Sequence, residues 1–205
     1  MMLRFRILII ACLFFIPLAN GMTVEQLQQQ LLAQPVVRAH FEQVRTIKDM
    51  PQPLKSAGNM IMARGTGIFW QQQTPFPMLL ILKQDRMVQK VNNQPAQVIT
   101  AESNPQMFQF NQLLGALFTL DRTSLEKNFT LAFTSKSATE WQLVLTPTTT
   151  PLNKIFTRII LQGGQLIEKV RLYDKQGDNT DITFSQHKIT PTQLTSEEHE
   201  EFETE

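Results

Sequence analysis

Apolar and polar positions alternate with period two along most of the second half of the chain. Phe129, Leu131 and Phe133 are interleaved with Thr130, Ala132 and Thr134. Trp141, Leu143 and Leu145 enclose Gln142 and Val144. Val170 and Leu172 stand between Lys169, Arg171 and Tyr173, and Ile182 and Phe184 between Asp181, Thr183 and Ser185. Such alternation predicts half-buried antiparallel strands. Gly163-Gly164 separates two of these runs, and a glycine pair readily takes the positive φ of a tight hairpin turn. Asn92-Asn93 and Asp174 to Asn179 predict further turns. Strands this frequent, joined by short turns, predict a meander: one large antiparallel sheet curling on itself.

Two segments break the rhythm. In Thr23 to Gln34 (TVEQLQQQLLAQ), Thr23 is a helix N-cap with Gln26 as its capping-box partner. Val24, Leu27 and Leu31 share one face and Pro35 ends the run, predicting an amphipathic helix laid across the sheet. The second segment is Asn104 to Lys127, where Asn104 can cap and Pro105 suits the first helical position. Met107, Phe108, Phe110, Leu113, Leu114, Leu117, Phe118 and Leu120 then make an apolar stripe wider than one buried face needs. Gly115 within it costs about 1 kcal/mol relative to Ala. A helix this apolar must cover something apolar.

The residues leave open what is covered. Helices can fill the concave face of the sheet and make an ordinary core. Against that stand residues 78–82 (MLLIL), apolar on both faces, and the thioethers of Met50, Met60, Met62, Met78, Met87 and Met107. Methionine adapts to irregular partners and is over-used on promiscuous binding surfaces. A curled sheet with helical covers and a soft lining makes a lipid pocket.

The first residues change the setting. Arg4 and Arg6 precede a ten-residue apolar run, Ile7 to Ile16, followed by Pro17 and Ala19-Asn20-Gly21. This order is that of a secretory signal peptide over 1–21. The run is too short for a permanent membrane anchor. Ile9-Ile10-Ala11-Cys12 also fits a bacterial lipobox loosely, in which Cys12 would carry lipid. Cys12 is the one cysteine, so a chain cut after Gly21 has neither disulfide nor thiolate and rests on its own core. Losing Arg4 and Arg6 takes the basic residues from 19 to 17 against 18 acids. Glu197, Glu198, Glu200, Glu201, Glu203 and Glu205 crowd the last nine residues, and 195–205 reads as a solvated acidic tail rather than a fold element. No Lys/Arg cluster has the footprint of a nucleic-acid site.

Catalytic signals are weak. His40, His187 and His199 lie far apart in sequence, and none has the helical spacing of H-E-x-x-H. His199 falls in the acidic end. His40 alternates with Arg38 and Glu42 on the polar side of a strand. No G-x-S-x-G elbow or P-loop occurs. The residues therefore point to a binding protein and not to an enzyme.

Several short motifs follow one another in a familiar order. After the helix comes Ala39-His40-Phe41-Glu42-Gln43, then Gly65-Thr66-Gly67-Ile68-Phe69-Trp70, then Thr74-Pro75-Phe76. These resemble the F-x-Q first strand and the G-x-L-W…R-P…F segment of the LolA family of periplasmic outer-membrane lipoprotein carriers. The specific motifs cover residues 37–80; the arrangement covers residues 22–194, one carrier domain. The resemblance implies a strongly curved, open antiparallel half-barrel closed by a helical lid around an apolar cavity for acyl chains. It implies a monomer in the periplasm of a Gram-negative bacterium, without cofactor or metal. Its partners would be an inner-membrane donor and an outer-membrane acceptor. With strand parity, it implies a lining of Phe41, Met60, Met62, Trp70, Met78, Leu80 and Leu82, faced by Phe110, Leu113, Leu114 and Leu117 from the lid.

The chain departs from the family at two places. The carriers place arginine directly before the proline, where it latches the lid; here Thr74 stands there, after Gln71-Gln72-Gln73. A neutral side chain lacks the guanidinium's fork of donors. Asp49 to Ser56 is not the usual link, and resembles a LolA-like subgroup found with aryl-polyene lipid genes, which extends the implied cargo from lipoprotein to polyene lipid. A LolB-like acceptor, anchored through Cys12, and a non-carrier periplasmic scaffold or accessory protein are the other readings.

Overall fold

The computed structural model describes residues 21–92, 94–105, 108, 115–118, 120–137 and 139–203. The signal segment 1–20 with Cys12, and the lid residues Met107, Phe110, Leu113 and Leu114, lie outside the described residues. The described chain forms α1 (Val24–Leu32), then strands β1 (Val36–Thr46), β2 (Leu54–Ala63), β3 (Gly67–Thr74), β4 (Met78–Leu82), β5 (Arg86–Val91) and β6 (Gln97–Thr100). A short helix α2 (Arg122–Glu126) precedes β7 (Phe129–Ser137) and β8 (Glu140–Pro147). A single turn α3 (Leu152–Ile155), strands β9 (Phe156–Gly163), β10 (Ile167–Asp174) and β11 (Asn179–Lys188), and helix α4 (Ser196–Phe202) complete it.

The strands form one eleven-stranded sheet in the order β6-β5-β4-β3-β2-β1-β11-β10-β9-β8-β7. Neighbours pair antiparallel throughout, and among the described residues β6 and β7 are free edges, so the sheet curls without closing. Two meanders, β1 to β6 and β7 to β11, meet where β1 pairs with β11. The predicted alternation is realised: Trp141, Leu143 and Leu145 are buried on one face of β8, with Gln142 and Val144 less so on the other. The turn at Gly163-Gly164 differs from expectation, since neither glycine has a positive φ. Gly163 is required instead by close approach, because a Cβ there would lie 2.0 Å from the Leu166 carbonyl oxygen.

The concave face holds the main core. Phe41, Leu27, Leu143, Leu145 and Leu161 are completely buried in it, and Leu31, Met60, Met62, Ile68, Leu82 and Leu117 join them. α1 lies across it as predicted, with the Thr23–Gln26 capping box formed in both directions. The second helical region is not one helix. Residues 115–118 are helical, Leu120 has φ +46°, and Asp121 then caps α2 through the Ser124 amide. The left-handed residue and the new cap divide what the apolar stripe suggests is continuous.

A second, smaller core lies on the convex face, and it corrects the expectation of a solvated acidic end. Residues 196–202 form α4, whose Phe202 is 1% exposed among Val36, Ile61, Ala63, Phe69, Ile81 and Val88. Burying a phenyl ring stabilises by roughly 1.5–3 kcal/mol. The helix is fixed by a capping box between Thr195 and Glu198. Glu198 also pairs twice with Arg38, Nε to Oε1 and Nη2 to Oε2, the latter at 2.6 Å. This second cover explains why 78–82 is apolar on both faces: Leu82 faces the concave core, while Ile81, 0% exposed, sits under α4. His199, by contrast, is exposed.

Candidate functional site

The concave face is built by cross-strand pairs. Ala39 is opposite Met60, Met60 opposite Trp70, and Trp70 opposite Leu80; Met62, Ile68 and Leu82 repeat the row one step along. Because side chains of directly opposed residues share a face, this register aims Met60, Trp70 and Leu80 together. Phe41 stacks on Trp70 with centroids 3.7 Å apart. Phe184 of β11 meets Trp70 edge-on at 6.1 Å, and Phe118 meets Phe184 edge-on at 5.8 Å. An aromatic chain thus runs from the sheet to the helical cover.

Of the lining residues expected from the sequence, Phe41, Met60, Met62, Trp70, Leu80, Leu82 and Leu117 lie in this one cluster or packed against it. Met78, opposite Gln72, has the same parity but sits at the strand's far end, beside Gln71 and Gln73 in a shallow surface recess. Met87 belongs to the inner cluster, and Met50 is exposed. Thr74 ends β3 and is exposed; among the described residues no side-chain hydrogen bond reaches it. Gln72 donates through Nε2 to the Phe76 carbonyl at 2.9 Å.

Polar contacts hold the described part of the cover at its edges. Gln30 of α1 donates through Nε2 to the carbonyls of Gly164 and Gln165, at 3.0 and 2.9 Å, tying the helix to the β9–β10 turn. The Trp141 indole donates to the same Gly164 carbonyl at 2.7 Å. Arg122 of α2 pairs with Glu25 of α1 on the surface. Residues 117 and 118 contribute apolar side chains. Between α1, β1, β2 and β11 a space of about 20 Å³ remains, walled by Leu31, Val37, Met60, Met62, Phe118 and Phe184 among others. By volume it has room for about one water molecule. A larger groove of about 540 Å³ lies at the rim, between the β2–β3 turn and residues 115–124.

One residue on the inner wall escapes a reading of the sequence. Gln186 has φ +53°, and two residues of β1, Arg38 and His40, oppose Lys188 and Ser185. The bulge resets the alternation, so His187 joins Phe184 on the wall of the small interior space. Its Nε2 lies 3.1 Å from the Ile167 carbonyl oxygen. Strict period-two counting would send it outward.

Residues 34–197 match the family described as "Outer membrane lipoprotein carrier protein LolA". The chain belongs to the LolA family. No curated protein matches it in sequence. Among solved structures, it is similar to a LolA superfamily protein from Nitrosomonas europaea, at 8% identity and a TM-score of 0.47, over 86% of this chain and 97% of that one. It is also similar to a putative outer-membrane lipoprotein-sorting protein domain from Vibrio parahaemolyticus, at 13% identity and a TM-score of 0.42, over 86% and 94%. No helix among the described residues is long and apolar enough to cross a membrane.

Proposed function

We propose that this LolA-family protein is a periplasmic carrier. It shields the acyl chains of a lipoprotein, or of a lipid such as a polyene lipid, in transit from an inner-membrane donor to an outer-membrane acceptor. It acts as a monomer, without cofactor, after export by a cleaved signal peptide 1–21. The domain 22–194 does the carrying. Cargo lies against Phe41, Met60, Met62, Trp70, Met78, Leu80 and Leu82, under the lid residues Phe110, Leu113, Leu114 and Leu117.

One observation carries this reading: a continuous apolar concave face whose cover is made of helical side chains and not of strands. Dispersion and apolar burial are non-directional. The side chains of Leu117 and Phe118 are hydrocarbon, so an acyl chain can take their places. A space of about 20 Å³ lies beneath Phe118, so an acyl chain entering there displaces the cover.

The test is native mass spectrometry of protein purified from its own periplasm. A bound lipid or lipoprotein supports the carrier; repeated recovery of empty protein that also fails to bind a fluorescent fatty acid overturns it. Mass measurement of the N-terminus separates a soluble chain starting near Met22 from a lipid-anchored, LolB-like acceptor starting at Cys12.

A further inference from the structure

The rim groove differs in chemistry from the interior. Its floor is apolar: Met62, Ile68 and Leu82 all belong to the concave core. Its walls are polar or small, with Arg64, Gly65 and Thr66 on one side and Gly115, Ala116 and Asp121 on the other. Met62 also walls the small interior space, so one flexible thioether borders both. At about 540 Å³ the groove falls within the roughly 300–1,000 Å³ of small-molecule sites.

Charges around the groove are mostly committed. The Lys83 ammonium lies 2.7 Å from Glu203. The Asp121 carboxylate accepts from the Ser124 hydroxyl at 2.6 Å and from the Ser124 amide at 3.4 Å. Arg64 is exposed, and among the described residues its guanidinium has no partner; only its backbone amide is engaged, with the Pro35 carbonyl. The two glycines at the groove look into open space, and Gly65 has a φ of +81°. A Cβ built on Gly65 or on Gly115 meets nothing within 4 Å. Neither glycine is there to let packed elements approach.

We propose that this groove is the portal of the carrier, and that Arg64 holds the negatively charged headgroup of an amphiphile whose acyl chain passes over Ile68 and Leu82, past Met62, into the core. The guanidinium fork matches a carboxylate or a phosphate. Methionine's unbranched side chain lets the wall part without a rigid gate. The inference rests on the carrier reading and gives it a route and a class of ligand.

The experiment uses the full chain and three probes of equal chain length: a fluorescent fatty acid, its methyl ester, and a lysophosphatidic acid. Arg64→Glu is expected to weaken both anionic probes on the order of tenfold or more and to leave the ester unchanged. A larger loss for lysophosphatidic acid assigns the site to phosphate headgroups; a larger loss for the fatty acid assigns it to carboxylates. Gly115→Leu puts a side chain into the groove from a position where a Cβ meets nothing within 4 Å. It is expected to slow uptake of all three probes while thermal stability is kept or raised. Equal binding of ester and acid, both in the unmodified protein and in the Arg64→Glu variant, overturns the headgroup site and leaves the carrier standing. Unchanged uptake in Gly115→Leu overturns the portal. Failure of the unmodified protein to bind any of the three overturns the carrier itself.

Discussion

The two faces of the N-terminal meander are both apolar and both covered, yet the covers are held differently. On the convex face α4 is locked by direction and charge. Arg38 binds Glu198 through two nitrogens and also donates to the carbonyls of Pro191 and Gln193, at 2.9 and 3.0 Å. Both side chains of the pair are largely buried, at 14% and 13% exposure. On the concave face, the described part of the cover meets the sheet through Leu27, Leu31, Leu117 and Phe118, with Gln30 bonded to the turn carbonyls at its edge. Lifting α4 would orphan a guanidinium and a carboxylate; lifting Leu117 and Phe118 exposes apolar surface that another apolar molecule can take. The difference separates a permanent cover from an exchangeable one, within strands that serve both.

The contrast is broken most severely at Phe202. Phe202→Ala is expected to destabilise by about 3–5 kcal/mol, read by urea unfolding, while acyl binding per folded molecule stays unchanged. A loss of binding in the folded fraction would mean the two faces are coupled.

Removing the lock itself should cost less. Arg38→Ala is expected to lower stability by roughly 1.5–3 kcal/mol, the range for hydrogen bonds to charged groups. The hydrogen bond from Arg38 holds the Glu198 carboxyl below its ordinary value of 4.5, against the opposing effect of burial. A depressed carboxylate stabilises the fold above the unfolded pKa and loses that contribution as pH falls through the folded one. The gap between Arg38→Ala and the unmodified protein should therefore be full at pH 7 and shrink below about pH 4.5. A gap independent of pH would remove the ion pair as its source.

On the other face, Leu80→Arg is expected to leave the fold intact, since Leu80 is only half-buried, and to weaken a fluorescent fatty acid at least about tenfold, or about 1.4 kcal/mol. Unchanged affinity in a folded variant would take Leu80 off the lining. Hydrogen exchange sharpens the same point. Residues 105–120 should exchange before 129–145, because sub-global openings start where packing is least directional. Uniform protection would argue for a single closed core.

The smallest effect is expected at Thr74. If position 74 is where the family's arginine latches the lid, threonine there leaves the empty closed state without a charge-assisted latch and shrinks the penalty for loading. Thr74→Arg should bind the probe a few-fold more weakly and protect residues 115–118 more strongly when empty. No change in either would mean that position 74 does not meet the lid.

The strands are legible in the sequence because their alternation is strict: Phe129, Leu131 and Phe133, or Trp141, Leu143 and Leu145, admit one register. The Thr23–Gln26 capping box is legible for the same reason, being local. The acidic end misleads because six glutamates outweigh one phenylalanine in any composition window. Its signal lies in Thr195-Ser196-Glu197-Glu198, a second capping box, with Phe202 one turn beyond it. Residues 78–82 carry the other half, since a strand apolar on both sides needs two covers. His187 is hidden by a bulge at Gln186 that no periodicity announces. Leu120 divides the lid region by a left-handed backbone that leucine rarely adopts.

The order of strands also bears on how the molecule assembles. Every pairing but one joins neighbours in sequence, and the exception sets β1 against β11, with Phe41 beside Phe184. Each meander can grow by adding hairpins whose ends are already close. The entropy of bringing distant chain ends together falls on that single seam. Substitutions at the seam are therefore expected to slow folding, and losses elsewhere in the sheet to speed unfolding.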